Sequence, residues 1–394
     1  MRTAIIAGVL GGVVWAGACS SADDAGGERM RGNPVLPLPG AGSSGFGAGL
    51  AGSGVAGARA PAPAGMSVGP AGRSGGVAGS PVITPPTPAG MAAPPPAAGA
   101  AGRMGAAGAP PVTAGGAAPP PVATGDRATP EGVCSRWKAD RANLSEGMWT
   151  GNVASCDPGD ISADGRANAL RSLNLYRWLA DLPAVTTDPT MDKQAQACAL
   201  LQRANNMLSH TPPDTWTCYM AEGAMAAGRC NISTGPGVSS VDGYMVDPGN
   251  PTTIGHRRWI LSNSFGPTGL GSTDRHSCMM TFGKMKVGKP WMAWPSPGII
   301  PLQAMQGGFG QKVDSTGWTV QSDTINLSAA TVTVMADGMN MPVTVTQLMG
   351  GYGSRYAFRF NPMGWTTTAG KKYDVAVAGI PMPINYSVQI VDCK

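Results

Sequence analysis

The segment VSSVDGYMVDPGNPTTIGHRRWIL, residues 238–261, decides how the folded part of this chain is read. Val238, Val241, Tyr244 and Met245 recur at helical spacing, and Asp247-Pro248-Gly249-Asn250-Pro251 breaks the pattern. Residues 255–261 then predict a second, short helix carrying two adjacent arginines. Upstream, residues 166–180 place Leu170, Leu173 and Arg177 on one helix face, with Asp164-Gly165 as a cap region. Asp188 before Pro189 supplies an N-cap and a first-turn proline, so a helix is expected from there to His210, stopped by Thr211-Pro212-Pro213. Residues 219–227, rich in Ala and Met, read as a third helix. Residues 265–280 end in an apolar run suited to a strand.

Five pieces of this stretch fall in one order: LNLYR at 173–177, LSH at 208–210, NI at 231–232, the Tyr244–Asp247 spacing, and GHRRWIL at 255–261. The order and gaps resemble the CAP superfamily of cysteine-rich secretory, antigen-5 and pathogenesis-related proteins over residues 165–283. That resemblance implies an α-β-α sandwich, helices on both sides of a small antiparallel sheet. It also implies a cleft with two histidines and two acidic residues, a candidate divalent-metal site. By position His210 and His256 are the histidines, and Asp247, three residues after Tyr244, is one acid. Cys230 stands where the second acid, a Glu, is expected. Glu222, in the preceding turn, is the candidate to stand in for it.

Judged without the family, two imidazoles and a carboxylate can make a three-ligand zinc site with an open position. No HExxH or GxSxG motif is present to place a metalloprotease base or a serine nucleophile. The plainer expectations are a solvated His210 at a helix C-terminus and a half-buried, hydrogen-bonded His256. His276 belongs to no motif and is expected at the surface. Of Arg257 and Arg258, one is expected to face solvent. A thiol-protease role for Cys230 beside a histidine is weaker than a disulfide.

Residues 1–19, MRTAIIAGVLGGVVWAGAC, combine Arg2, a short apolar stretch and small residues before Cys19. They resemble a bacterial lipoprotein signal with Cys19 as the lipidated residue; an ordinary secretory signal is the alternative. Residues 20–130 read as a linker: from residue 31 to 130, Gly, Pro and Ala fill 67 of 100 positions. Such a segment cannot bury enough apolar surface to offset the entropy of ordering. Much of the net charge of +5 lies thinly along it, so there is no clustered basic face for nucleic acid.

In an exported chain Cys134, Cys156, Cys198, Cys218, Cys230, Cys278 and Cys393 read as disulfide candidates, with one thiol left over. The pairs closest in sequence are Cys134–Cys156 and Cys218–Cys230. After a CAP-like region at residues 131–285, residues 291–301 read as a Pro-broken connector. Period-two alternation follows at 331–335, 343–346, 355–360, 373–378 and 386–391, predicting an immunoglobulin-like β-sandwich over residues 286–394. The fold class is therefore α+β. The function expected is an envelope-anchored module that binds a small apolar ligand, a wall component or a protein. The alternatives are a zinc-dependent hydrolase using His210 and His256, and a purely structural envelope protein.

Overall fold

The computed structural model describes residues 125–394; the signal segment, Cys19 and the linker up to residue 124 lie outside the described residues. The last residues assigned to the linker are already ordered. Arg127 donates to the carbonyl of Leu179 (3.2 Å) and pairs with Asp181 (3.2 Å), which fixes the chain before the first helix.

That helix, α1 (Pro130–Arg141), is capped by Thr129, which accepts from the Gly132 amide. Periodicity did not reveal it, because its buried face mixes Val133 and Trp137 with Arg136 and Asp140, an ion pair four residues apart. α2 (Ala163–Leu179) and α3 (Pro189–Asn205) follow, the latter opened by Asp188 Oδ1 accepting from the amides of Thr190 and Met191. α3 ends five residues before the expected stop. Asn206 turns left-handed (φ 46°), and Gln202 then bonds the backbone of Ser209 in both directions, replacing further helical turns. His210 therefore lies in a loop.

Next come α4 (Ala221–Ala227), β1 (Cys230–Ser233), α5 (Gly237–Val246), α6 (Gly255–Ile260), β2 (Leu270–Ser272) and β3 (Ser277–Met280). The three strands form an antiparallel sheet in the order β1-β3-β2. Alternation on β3 sends Cys278 and Met280 to one side, against Ala195, Cys198 and Ala199 of α3 and Ala226 and Ala227 of α4. Met279 points the other way, into the core that holds Leu173 and Tyr176 of α2 and Val241 and Met245 of α5. Helices thus cover both faces. Gly271 permits the closest approach: a Cβ there would lie 2.2 Å from the backbone of Ala195.

The rest is mainly sheet. β4 (Met292–Trp294), β6 (Trp318–Ser322), β10 (Tyr356–Pro362) and β9 (Val343–Leu348) form an antiparallel sheet in the order β4-β6-β10-β9. β5 (Gly298–Pro301), β12 (Ile384–Val391), β11 (Lys372–Ala378), β7 (Thr331–Ala336) and β8 (Met339–Asn340) form a second, with β5 parallel to β12. A short α7 (Val313–Thr316) precedes β6. The two sheets meet through apolar side chains; Trp318 of β6 lies edge-on to Tyr373 of β11 at 5.6 Å.

The expected connector at 291–301 is instead two strands, β4 and β5. Pro295 and Pro297 fall between them, and Pro301 ends an edge strand, where a missing N–H costs no ladder bond. β6 escaped notice because it is buried along its whole length. Thr319 and Gln321 face α6 rather than water: Gln321 donates to the carbonyl of Arg258 at 3.0 Å.

One apolar cluster runs from Leu173 and Tyr176 through Trp294 to Trp318, Phe358 and Ile390, so the helical and β parts share a core. Three disulfides reinforce it: Cys134–Cys393, Cys156–Cys218 and Cys198–Cys278. Neither pair that is closest in sequence forms. α1 meets the chain end beyond β12, which brings Cys134 to Cys393, and Cys230, on β1, faces the α3–α4 side as a buried free thiol. No helix among the described residues is long and apolar enough to cross a membrane.

Candidate functional site

Asp247 closes α5 in the left-handed conformation (φ 57°), a backbone state that short polar side chains tolerate. Its side chain is completely buried. One oxygen accepts from Asn250 Nδ2 (2.7 Å) and lies 2.9 Å from His256 Nδ1. The other accepts from the amides of His256 (2.9 Å) and Arg257 (3.4 Å). Three hydrogen bonds and the His256 contact thus occupy the carboxylate, which holds the first turn of α6 beside the imidazole. Asn250 Nδ2 also lies 3.3 Å from Nδ1 of His256. Its ring lies 4.9 Å from that of Tyr244, whose hydroxyl donates to the carbonyl of Asn231 (3.1 Å). Asn231 Nδ2 in turn donates to the carbonyl of His256 (3.1 Å), closing a link between β1, α5 and α6.

The other predicted residues are placed differently. His210 is half-buried, with Nδ1 2.7 Å from the carbonyl of Ala227, so it ties its loop to the end of α4. Glu222 is exposed on α4. Cys230 does not face a cleft: it is buried beside Cys198 and Cys278, and burial pushes its thiol well up. Asp247 and His256 are therefore together. Among the described residues, the cluster of metal-ligating atoms is the sulfur trio of Cys198, Cys230 and Cys278, and the four cleft candidates form none.

A catalytic divalent metal does not fit these residues. Such a site needs three protein donors and an open position. Asp247 is buried, accepts three hydrogen bonds and contacts His256, and the position expected to hold Glu carries a thiol turned into the core.

Both arginines of GHRRWIL are fully buried, contrary to the expectation that one faces solvent. Arg257 donates to the carbonyls of Met245 (2.6 Å), Val246 (3.0 Å) and Gly317 (2.6 Å), and to Thr316 Oγ1 (2.9 Å). Arg258 donates to the carbonyls of Thr253 (2.9 Å), Met349 (2.6 Å) and Ser354 (3.1 Å). Burial lowers both guanidinium pKa values to about 10. α6 is thus a rivet between the helical part and the β part.

His276 is also buried, at 1% exposure, and neither ring nitrogen has a partner among the described residues. It sits in the turn between β2 and β3 rather than at the surface. Burial, with Arg203 nearby, lowers its pKa to about 4. Asn231, read only as part of the NI piece, and Asn250, which was not singled out, complete the site. The DPGN run read only as a helix breaker, although an Asn three residues after Asp is suited to bond it back.

Residues 170–276 match the model of the family described as CAP, the cysteine-rich secretory protein family, and this part of the chain is a CAP domain. No curated protein and no solved structure matches the chain.

Proposed function

We propose that this chain is an exported, envelope-anchored lipoprotein whose CAP domain is a binding module for a wall component or a protein partner. Asp247 carries the proposal: the acid that resembles a metal ligand by position is buried, accepts three hydrogen bonds and lies against His256. Three disulfides support export, since such bonds persist in oxidising compartments. The cavity lined by Ala169, Val238, Tyr244, Leu270 and Met279 is about 10 Å³, room for one water at most. An enclosed apolar ligand has no place in that cavity.

In this proposal residues 1–19 are the signal ending at Cys19, and the Gly/Ala/Pro-rich segment after it is the tether. Residues 131–285 form the CAP domain, and residues 286–394 an immunoglobulin-like sandwich that braces it. The test is co-sedimentation of the mature protein with purified peptidoglycan sacculi. Binding without release of soluble fragments is expected. Fragment release that stops on chelation and in His256→Ala overturns the proposal in favour of a metal-dependent hydrolase.

A further inference from the structure

Cys198 on α3, Cys230 on β1 and Cys278 on β3 have all three sulfur atoms within 4.8 Å of one another, each residue buried. Two of them form a disulfide and the third is a free thiol. The sheet register decides which exchanges are possible. Cys230 pairs with Met280, and Ile232 with Cys278, so Cys230 and Cys278 are diagonal neighbours on adjacent strands. Diagonal Cβ atoms lie about 7 Å apart, beyond the ~4 Å that a disulfide requires. Cys198, reaching down from the helix layer, is the sulfur that both strand cysteines can bond.

We propose that these residues form an internal disulfide-exchange site, in which Cys230 and Cys278 compete for Cys198. The thiolate of Cys230 attacks Cys198 Sγ, the Cys230–Cys198 bond forms, and the Cys198–Cys278 bond breaks. The electron pair of the broken bond leaves on Cys278 Sγ, which takes up the proton Cys230 released. No oxidant or reductant is consumed, and one thiol is present before and after.

Exchange moves the staple of α3 from β3 to β1. The residue after Cys230 is Asn231, which donates to His256 and accepts from Tyr244. The bond's position is thereby linked mechanically to the side of the domain that carries His256. Ala195, Ala199, Ala226, Ala227 and Ile232 enclose the sulfurs and keep out external thiols. The same apolar wall keeps Cys230 protonated, so exchange is slow at neutral pH and speeds up in alkali.

The test uses the mature protein without reductant. The native protein is held at about pH 9 to raise the thiolate fraction, then acid-quenched, denatured, labelled with a maleimide and mapped by peptide mass spectrometry. Label on both Cys230 and Cys278 is expected, the Cys278 share growing with incubation time. Label on Cys230 alone at every time overturns the proposal. Cys278→Ala provides a second arm: its folded form should carry a Cys198–Cys230 disulfide with neither residue labelled. Labelling of both Cys198 and Cys230 in that folded variant overturns it. Should Cys278→Ala fail to fold, the wild-type time course decides alone.

Discussion

Arg257→Ala removes the donor that joins α5 to the segment entering β6. The lost contacts are charge-assisted bonds to the carbonyls of Met245, Val246 and Gly317 and to Thr316 Oγ1. Val246 keeps a partner, because Thr316 Oγ1 donates to it at 2.6 Å. The carbonyls of Met245 and Gly317 are left in a water-poor interior, at about 1–3 kcal/mol each. Truncating a long buried side chain adds a packing loss, and removing a buried cation offsets part of it. The net expectation is a loss of about 4 kcal/mol, with Arg257→Lys losing about half as much because an ammonium cannot reproduce the fork. Urea unfolding followed by tryptophan fluorescence and by far-ultraviolet circular dichroism measures it. The wild-type curves should coincide, since the helical and β parts share one core. In Arg257→Ala the midpoint should fall and the two probes should separate. A variant within about 1 kcal/mol of wild type, with coincident curves, would show that α6 does not rivet the parts together.

Other consequences are as direct. The folded pKa of His276, about 4, lies below the ordinary 6.5, so the unfolded chain takes up a proton that the native state refuses. Stability should therefore fall as pH drops from about 6.5 to 4, by up to about 3 kcal/mol, and then level off for this group. The wild-type loss in that window should exceed that of His276→Leu; equal losses would place His276 in contact with water. Cys393→Ala opens a bridge that spans 259 residues and should cost about 5 kcal/mol in the non-reduced protein by the chain-entropy argument, read as a lower melting temperature. Asp188→Ala should cost about 1 kcal/mol by removing the cap of α3, with Asp188→Asn nearly neutral in the same denaturation assay.

The CAP domain was legible because its signals are local. Helical spacing at Val238, Val241, Tyr244 and Met245, and the Asp188–Pro189 start, fixed elements that the structure reproduces. The β7 and β9–β12 strands were legible from their local alternation, which in β11 and β12 marks one wet and one dry face, while β9 is exposed along most of its length. What failed depended on tertiary contact. β6 alternates Trp318 and Val320 with Thr319 and Gln321, but nothing local shows that its polar face lies against α6 rather than water. Arg257 and Arg258 read as surface cations because nothing local announces the carbonyls of Gly317, Met349 and Ser354, 60 to 96 residues away. The pairing of Cys134 with Cys393 depends on how the chain end docks on α1. At the site, the sequence supplied His256 and Asp247 but not their relation. That Asp247 is filled by Asn250 and two amides follows only from the left-handed turn at the end of α5.

The most direct test of the central claim, that the acidic and imidazole groups of the CAP domain hold structure rather than a catalytic metal, is the zinc content of the native, non-reduced mature protein. The account predicts only loosely held zinc, at levels that His210→Ala and His256→Ala leave unchanged. One tightly bound zinc per chain, lost in both variants, would contradict it.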